Sequence, residues 1–198
     1  MDMDGYYDHN ALVTLDRHLA LAGLVTEDTR RVGHQASSLT GLPFIDLERL
    51  MEHLGGMSSR EMVAFRGLEY YRELEEQALA RALADRPYGI LVLGDGTLLD
   101  NRSRRRVLKE TTLVALERDL PQCFQRFQAL QQMFQERDPE SYSWHPLFQE
   151  PLSYVQQIQS FYEERRPTLT KAAHKIPLHD RKLKQAVEQV LDLLIVRN

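Results

Sequence analysis

Apolar residues follow two rhythms along this chain. The first is short and continuous. Leu19-Ala20-Leu21-Ala22, Leu42-Pro43-Phe44-Ile45, Tyr88-Gly89-Ile90-Leu91-Val92-Leu93 and Thr112-Leu113-Val114-Ala115-Leu116 are unbroken runs flanked by glycine or charged residues. Runs of this kind suit strands covered on both faces, as in a parallel sheet. They predict strands at 12–23 (interrupted by Asp16-Arg17, with its core at 18–22), 42–46, 88–93 and 112–116. The second rhythm is helical: between Ser58 and Ala84, residues Leu68, Tyr71, Leu74, Ala78, Leu79, Ala82 and Leu83 return at nearly 3.6-residue spacing.

Punctuation sets the other helices. One is expected from about 28 to 40, stopped by Gly41, and a shorter one from Leu47 to Leu54, closed by Gly55-Gly56. Gly67 can divide the 58–84 stretch in two. A further helix is expected at 102–108, and the chain beyond Leu120 reads mostly as helix, broken by a loop containing Asp138-Pro139, Trp144-His145-Pro146 and Pro151. Strands alternating with helices predict an α/β fold of three layers, α/β/α, around a central parallel sheet. Ligands of such sheets bind outside the carboxyl ends of the strands. The turn 23–30, Asp46 and Gly94-Asp95-Gly96 all follow predicted strands and so are candidates to share one crevice.

Composition narrows the function. With 198 residues, 42% hydrophobic and 27% charged, the chain suits a single domain over 1–198 with a loose polar lead at 1–11. A net charge of −4 argues against general nucleic-acid binding, which needs surplus Lys and Arg. No apolar run approaches a membrane span, and the acidic start MDMDGYYDHN is unlike a secretory signal; a cytoplasmic protein is expected. One cysteine, Cys123, fits a reducing compartment. The seven histidines show no HExxH or HxH spacing, so no metal site is expected. Arg102, Arg104, Arg105 and Arg106 read as a solvated helix face, with docking of an acidic partner as the alternative. Glutamines are frequent between Gln125 and Gln159 without forming a motif.

The order of the motifs resembles the shikimate kinase family, within the nucleoside-monophosphate-kinase-like phosphate-loop proteins. In "GLVTEDTRRVGHQASSLTGLPFIDLE", Val32-Gly33, Gly41, Leu42-Pro43-Phe44 and Asp46 stand in register with the family's VG and GxxFxDxD. "GGMSSREMVAFRGLEYYRELEEQAL" is similar to its G-x-S-x-x-E and G-E-x-x-[FY]-R-x-x-E segment, Gly94-Asp95-Gly96 falls on its GGG, and "FYEERRPTLTKAA" resembles E-R-x-P-x-Y-x-x-A. About residues 19 to 175 are covered.

That resemblance implies ATP and Mg²⁺ as cofactors and an acceptor site for shikimate. Asp46 would lie near the metal as a catalytic carboxylate, Glu48 would meet substrate hydroxyls, and Arg72 and Arg165 would grip the substrate carboxylate beside Gly94, Asp95 and Gly96. Two planar guanidinium forks suit a carboxylate. The resemblance also implies a lid, at about 130–152, where His145 replaces the expected arginine. The phosphate loop departs furthest. After Gly23, Thr26 and Asp28 replace two glycines, Thr29 stands at the lysine position and Arg30 at the Ser/Thr position that holds Mg²⁺. Glu27 and Asp28 would face phosphate, where like charges about 4 Å apart repel by roughly 4 kcal/mol at an effective dielectric of 20. Arg30 or Arg31 is a candidate to restore phosphate binding in part.

The expectation is therefore a kinase-like protein with a degraded ATP site and no bound cofactor: a pseudokinase that takes a small carboxylate ligand or a protein partner in a regulatory or scaffold role. The alternative is an active kinase, or another enzyme, acting on shikimate or a similar polyhydroxy carboxylate. Asp95 projects a carboxylate where the family's ligand places its own, which predicts an internal pair with Arg72 or Arg165.

Overall fold

The computed structural model describes residues 13–137, 145, 147–148, 150–178 and 183–195. Five strands, β1 (Leu19–Gly23), β2 (Phe44–Asp46), β3 (Ile90–Val92), β4 (Thr112–Glu117) and β5 (His174–Pro177), form one parallel sheet in the order β2-β3-β1-β4-β5. The registers Leu19↔Ile90 and Leu19↔Thr112 set β1 at its centre. Side chains alternate across the sheet. Ala20, Ala22, Leu91, Leu113 and Ala115 join one core, while Leu19, Leu21, Ile90, Val92, Val114 and Leu116 join the other. This two-residue period inside unbroken apolar runs produces the three layers, since both faces of the central strands are covered.

The helices are α1 (Thr26–Thr40), α2 (Leu47–Gly55), α3 (Ser59–Ala84), α4 (Asn101–Glu110), α5 (Leu120–Arg137), α6 (Gln159–Leu169) and α7 (Leu183–Ile195). α1 and α7 cover one face. The other face packs against α2, α3, α4, α5 and α6. Gly41 ends α1 and Gly56 ends α2, both with positive φ, and Gly67 (φ +85°, ψ 167°) breaks α3 where the sequence suggested division. α3 opens on a capping box, in which Ser58 Oγ accepts from Glu61 N–H and the Glu61 carboxylate accepts from Ser58 N–H.

Three features differ from the sequence reading. β5 replaces predicted helix, because only Ile176 of its four residues is buried at the sheet edge, leaving little apolar pattern. Residues 155–158 form a 3₁₀ turn rather than α-helix, and Tyr154 just before it is 57% exposed. Residues 130–137 continue α5 as regular helix, whereas nine positions of the expected lid, 138–144 with Trp144 among them, Pro146 and Gln149, lie outside the described residues.

The glutamines gain a role. Gln131 Oε1 accepts from Leu152 N–H (2.7 Å), and Gln157 takes the N–H groups of Ser153 (2.6 Å) and Tyr154 (3.0 Å) while donating to the Pro151 carbonyl (3.1 Å). Neutral amides thus satisfy the irregular backbone that follows the expected lid, without importing charge beside the core.

Candidate functional site

At the carboxyl ends of β1, β2 and β3 the chain brings together α1's first turn, Asp46, and Asp95 in the turn after β3. α1 starts without a local cap, since Val25 at the capping position has no side-chain acceptor. Asp95, 69 residues away, serves instead: its Oδ1 accepts from Thr26 N–H (2.8 Å) and from the Thr26 hydroxyl. Its other oxygen, Oδ2, lies 3.0 Å from His145 Nε2. His145 Nδ1 accepts from Leu147 N–H (3.1 Å), which places the ring proton on Nε2, facing Asp95. Free N–H groups and the helix dipole make such a helix start a natural seat for an anion. Here the chain's own carboxylate sits on it.

This corrects one expectation. The Asp95 carboxylate does not pair with Arg72 or Arg165; Arg165 Nε donates to the Asp95 backbone carbonyl.

Arg30 forms a second closed cluster. Nε donates to Asp46 Oδ2 (2.5 Å), Nη2 to Glu48 Oε2 (2.7 Å) and Nη1 to Glu27 Oε2 (2.7 Å). Asp46 also caps α2 through the N–H groups of Glu48 (3.1 Å) and Arg49 (3.4 Å). Burial works to lower the Arg30 pKa, but the hydrogen bond and charge of Asp46, then Glu48, overcome it and raise the value. Burial pushes Glu48 up, against the pull of Arg30. Arg30, one of two candidates to restore phosphate binding in part, is thus held by three carboxylates.

Asp28 turns away from the crevice. It is 1% exposed and pairs with Arg118 Nη2 (2.9 Å) and Arg126 Nε (2.9 Å). The predicted repulsion of phosphate by Glu27 and Asp28 does not hold in that form, because both carboxylates already have cationic partners. Thr29 is buried and packs over Gly23, where an added Cβ would come within 2.6 Å of Thr29 Oγ1. That close approach demands glycine. Arg118 and Arg126 escaped the sequence reading, since nothing in residue spacing links them to a carboxylate some 90 positions earlier.

The acceptor-side residues do converge. Arg72 Nη1 donates to Glu75 Oε2 (2.7 Å), and Glu75 Oε1 accepts from the Thr97 hydroxyl (2.9 Å). Burial raises the Glu75 pKa. A Cβ on Gly96 would overlap the Arg72 guanidinium, and one on Gly94 would lie 3.4 Å from Glu75 Oε1. Arg165 is 2% exposed, stacks 3.2 Å over the Phe161 ring, and donates from Nη1 to the Phe161 carbonyl (2.8 Å). Its Nη2 has no partner among the described residues. Burial brings its pKa down to about 10, opposed by the charge of Asp95. Glu75 and Thr97, which hold Arg72 and the turn, were not singled out from sequence as site residues.

Between α1's first turn, α2, the start of α3 and α5 lies a cavity of about 360 Å³ bordered by Glu48, Tyr71, Asp95 and His145. Arg72 and Arg165 do not line it. Cys123 is buried, its thiol pushed up to about 12 by burial. Among the described residues no three His, Cys, Asp or Glu side chains group as a metal site, and no helix is long and apolar enough to cross a membrane.

A family model described as shikimate kinase matches residues 30–195, beginning at Arg30 and leaving the turn before it outside. A shikimate kinase of Thermus thermophilus is 28% identical over 176 residues, covering 89% of each chain. Among solved structures, the shikimate kinase of Acinetobacter baumannii, determined in complex with shikimate, superimposes with a TM-score of 0.77 at 19% identity over 96% of this chain and 98% of that one. The Bacteroides thetaiotaomicron enzyme gives 0.71 at 20% identity, over 90% and 98%. At these identities the structural matches speak for the three-layer fold.

Proposed function

The chain belongs to the shikimate kinase family, and we propose that within it this protein is a pseudokinase whose Mg-ATP seats are filled by its own side chains. One observation carries the reading: the Arg30 guanidinium, at the position whose hydroxyl would hold Mg²⁺, is bound by Asp46, Glu48 and Glu27 at 2.5–2.7 Å. An organic cation there already supplies the charge that Asp46 would otherwise direct to a metal. Asp95 answers for the phosphate, on the Thr26 N–H at α1's start. Thr29, at the lysine position, is buried and carries no charge. The residues present therefore do not fit Mg-ATP, and they leave phosphoryl transfer without the positioning and charge stabilisation on which it rests.

The acceptor side supports binding without transfer. Arg165 retains a buried Nη2, unpartnered among the described residues, beside the turn at Gly94–Gly96, and Arg72 is held next to it. A small carboxylate ligand, read by a regulatory protein rather than phosphorylated, suits that arrangement.

The test is calorimetric titration with Mg-ATP, with shikimate and with both, alongside a coupled ADP-release assay. The expected result is silence with Mg-ATP and no turnover. Saturable Mg-ATP binding, or ADP release dependent on shikimate, would overturn the proposal.

A further inference from the structure

The 360 Å³ cavity beside these filled seats has a charge arrangement that they do not use. On its α2 wall Glu48 and Glu52 stand one helical turn apart, on one side of the helix. Each spends one oxygen within the chain: Glu48 Oε2 on Arg30 (2.7 Å), and Glu52 Oε1 on the Ser59 N–H (2.8 Å). The second oxygen of each takes no hydrogen bond among the described residues. The facing wall is α5, where Leu130, Phe134 and Arg137 lie at i, i+4 and i+7 on one face. Arg60 stacks 3.9 Å over the Phe134 ring and ties α3's first turn to that wall. Arg137 makes no ion pair among the described residues. Between the walls, Ser59 is 2% exposed and its hydroxyl has no partner among the described residues. An unpaired buried hydroxyl is unfavourable, so a ligand that draws it into a hydrogen bond recovers a loss built into the fold.

We propose that this cavity binds a free α-amino acid with a large apolar side chain. The ammonium group meets the spare oxygens of Glu48 and Glu52, the carboxylate meets Arg137, and the side chain lies against Leu130, Met133 and Phe134. A polyhydroxy carboxylate fits less well, because its ring hydroxyls would be stripped of water against that apolar wall. At about 360 Å³ the cavity falls at the small end of ligand sites, which run from roughly 300 to 1,000 Å³. The assignment rests on the reading that Arg30 and Asp95 fill the Mg-ATP seats, since a phosphate donor and its acceptor would compete for the Glu48 wall.

The experiment is calorimetric titration of the full chain with L-phenylalanine and L-leucine, compared with N-acetyl-L-phenylalanine, L-phenylalaninamide, shikimate and Mg-ATP. Both free amino acids should bind saturably, and each capped form about tenfold more weakly or worse, as expected for losing one charged hydrogen bond. Arg137→Ala should weaken L-phenylalanine to a similar extent but leave L-phenylalaninamide unaffected. Ser59→Ala should weaken binding while the free variant melts no lower than wild type. No heat from either amino acid at about 10 mM, capped forms binding as tightly as free ones, or displacement of phenylalanine by shikimate would overturn the assignment. Mg-ATP binding would instead defeat the filled-seat reading on which it rests.

Discussion

Replacing Arg30 by serine tests the central cluster directly. The substitution removes the guanidinium that touches Asp46, Glu48 and Glu27, and it places a hydroxyl where the family carries Ser or Thr. Breaking a buried ion pair from one side costs about 3–5 kcal/mol, because the remaining charge stays desolvated. Two features moderate that figure. The Arg30 side chain is 21% exposed, so part of its charge is screened. Asp46 also keeps its hydrogen bonds to the Glu48 and Arg49 N–H groups, with Arg49 at 3.7 Å. Glu48, already pushed up by burial, relieves the remainder by taking a proton. The expected loss is therefore about 3 kcal/mol at neutral pH, or roughly 6–12 °C in melting temperature for a chain of this size.

Oxygen ligands around a vacated cation seat suit Mg²⁺. Millimolar Mg²⁺ should thus restore part of the Arg30→Ser loss and leave the wild type unchanged. Urea unfolding with and without Mg²⁺ measures both effects. A loss below about 1 kcal/mol, or equal Mg²⁺ responses in the two proteins, would refute the claim that Arg30 stands in for the metal.

Asp28→Asn should cost about 3–5 kcal/mol in urea unfolding, because Arg118 and Arg126 lose their shared counter-charge in a buried setting. Asp95→Gly should remove the carboxylate that accepts from α1's first N–H, at about 1–2 kcal/mol, and free the helix start, so that inorganic phosphate raises the variant's melting temperature more than the wild type's. His18 is buried with Nδ1 on the Gly89 N–H, and burial lowers its pKa from 6.5. The unfolded chain then binds the proton more readily, so stability from neutral His18 is complete above about pH 6.5 and is lost as pH falls below it. His18→Gln should flatten the decline between about pH 7 and 5 in a pH series of unfolding curves.

Much of the fold was readable before any coordinates. Four strands and the helix ends at Gly41, Gly55-Gly56 and Gly67 followed from unbroken apolar runs and glycine punctuation, both of which act within a few residues. β5 was missed because an edge strand of four residues with one buried side chain leaves almost no periodicity. α1 was predicted to begin at 28, yet it begins at Thr26. No capping residue precedes it, and the acceptor that extends it arrives from Asp95 in the turn after β3.

The site divides along the same line. The expectation that phosphate-loop residues are replaced turns on which side chains occupy each position, and the order of residues is enough to raise it. Where those replacements send their charge does not. Glu27 and Asp28 are adjacent and look equivalent in the chain, yet one meets Arg30 and the other is buried against Arg118 and Arg126. Asp95 could as readily have paired with an arginine, until the packing of α1 beside the turn offered it a helix start instead. Apolar burial is set by local periodicity, which sequence displays directly. Long-range charge pairing is set by distances of 2.5–3 Å between residues 16 to 98 positions apart, and only the packed sheet and helices fix those.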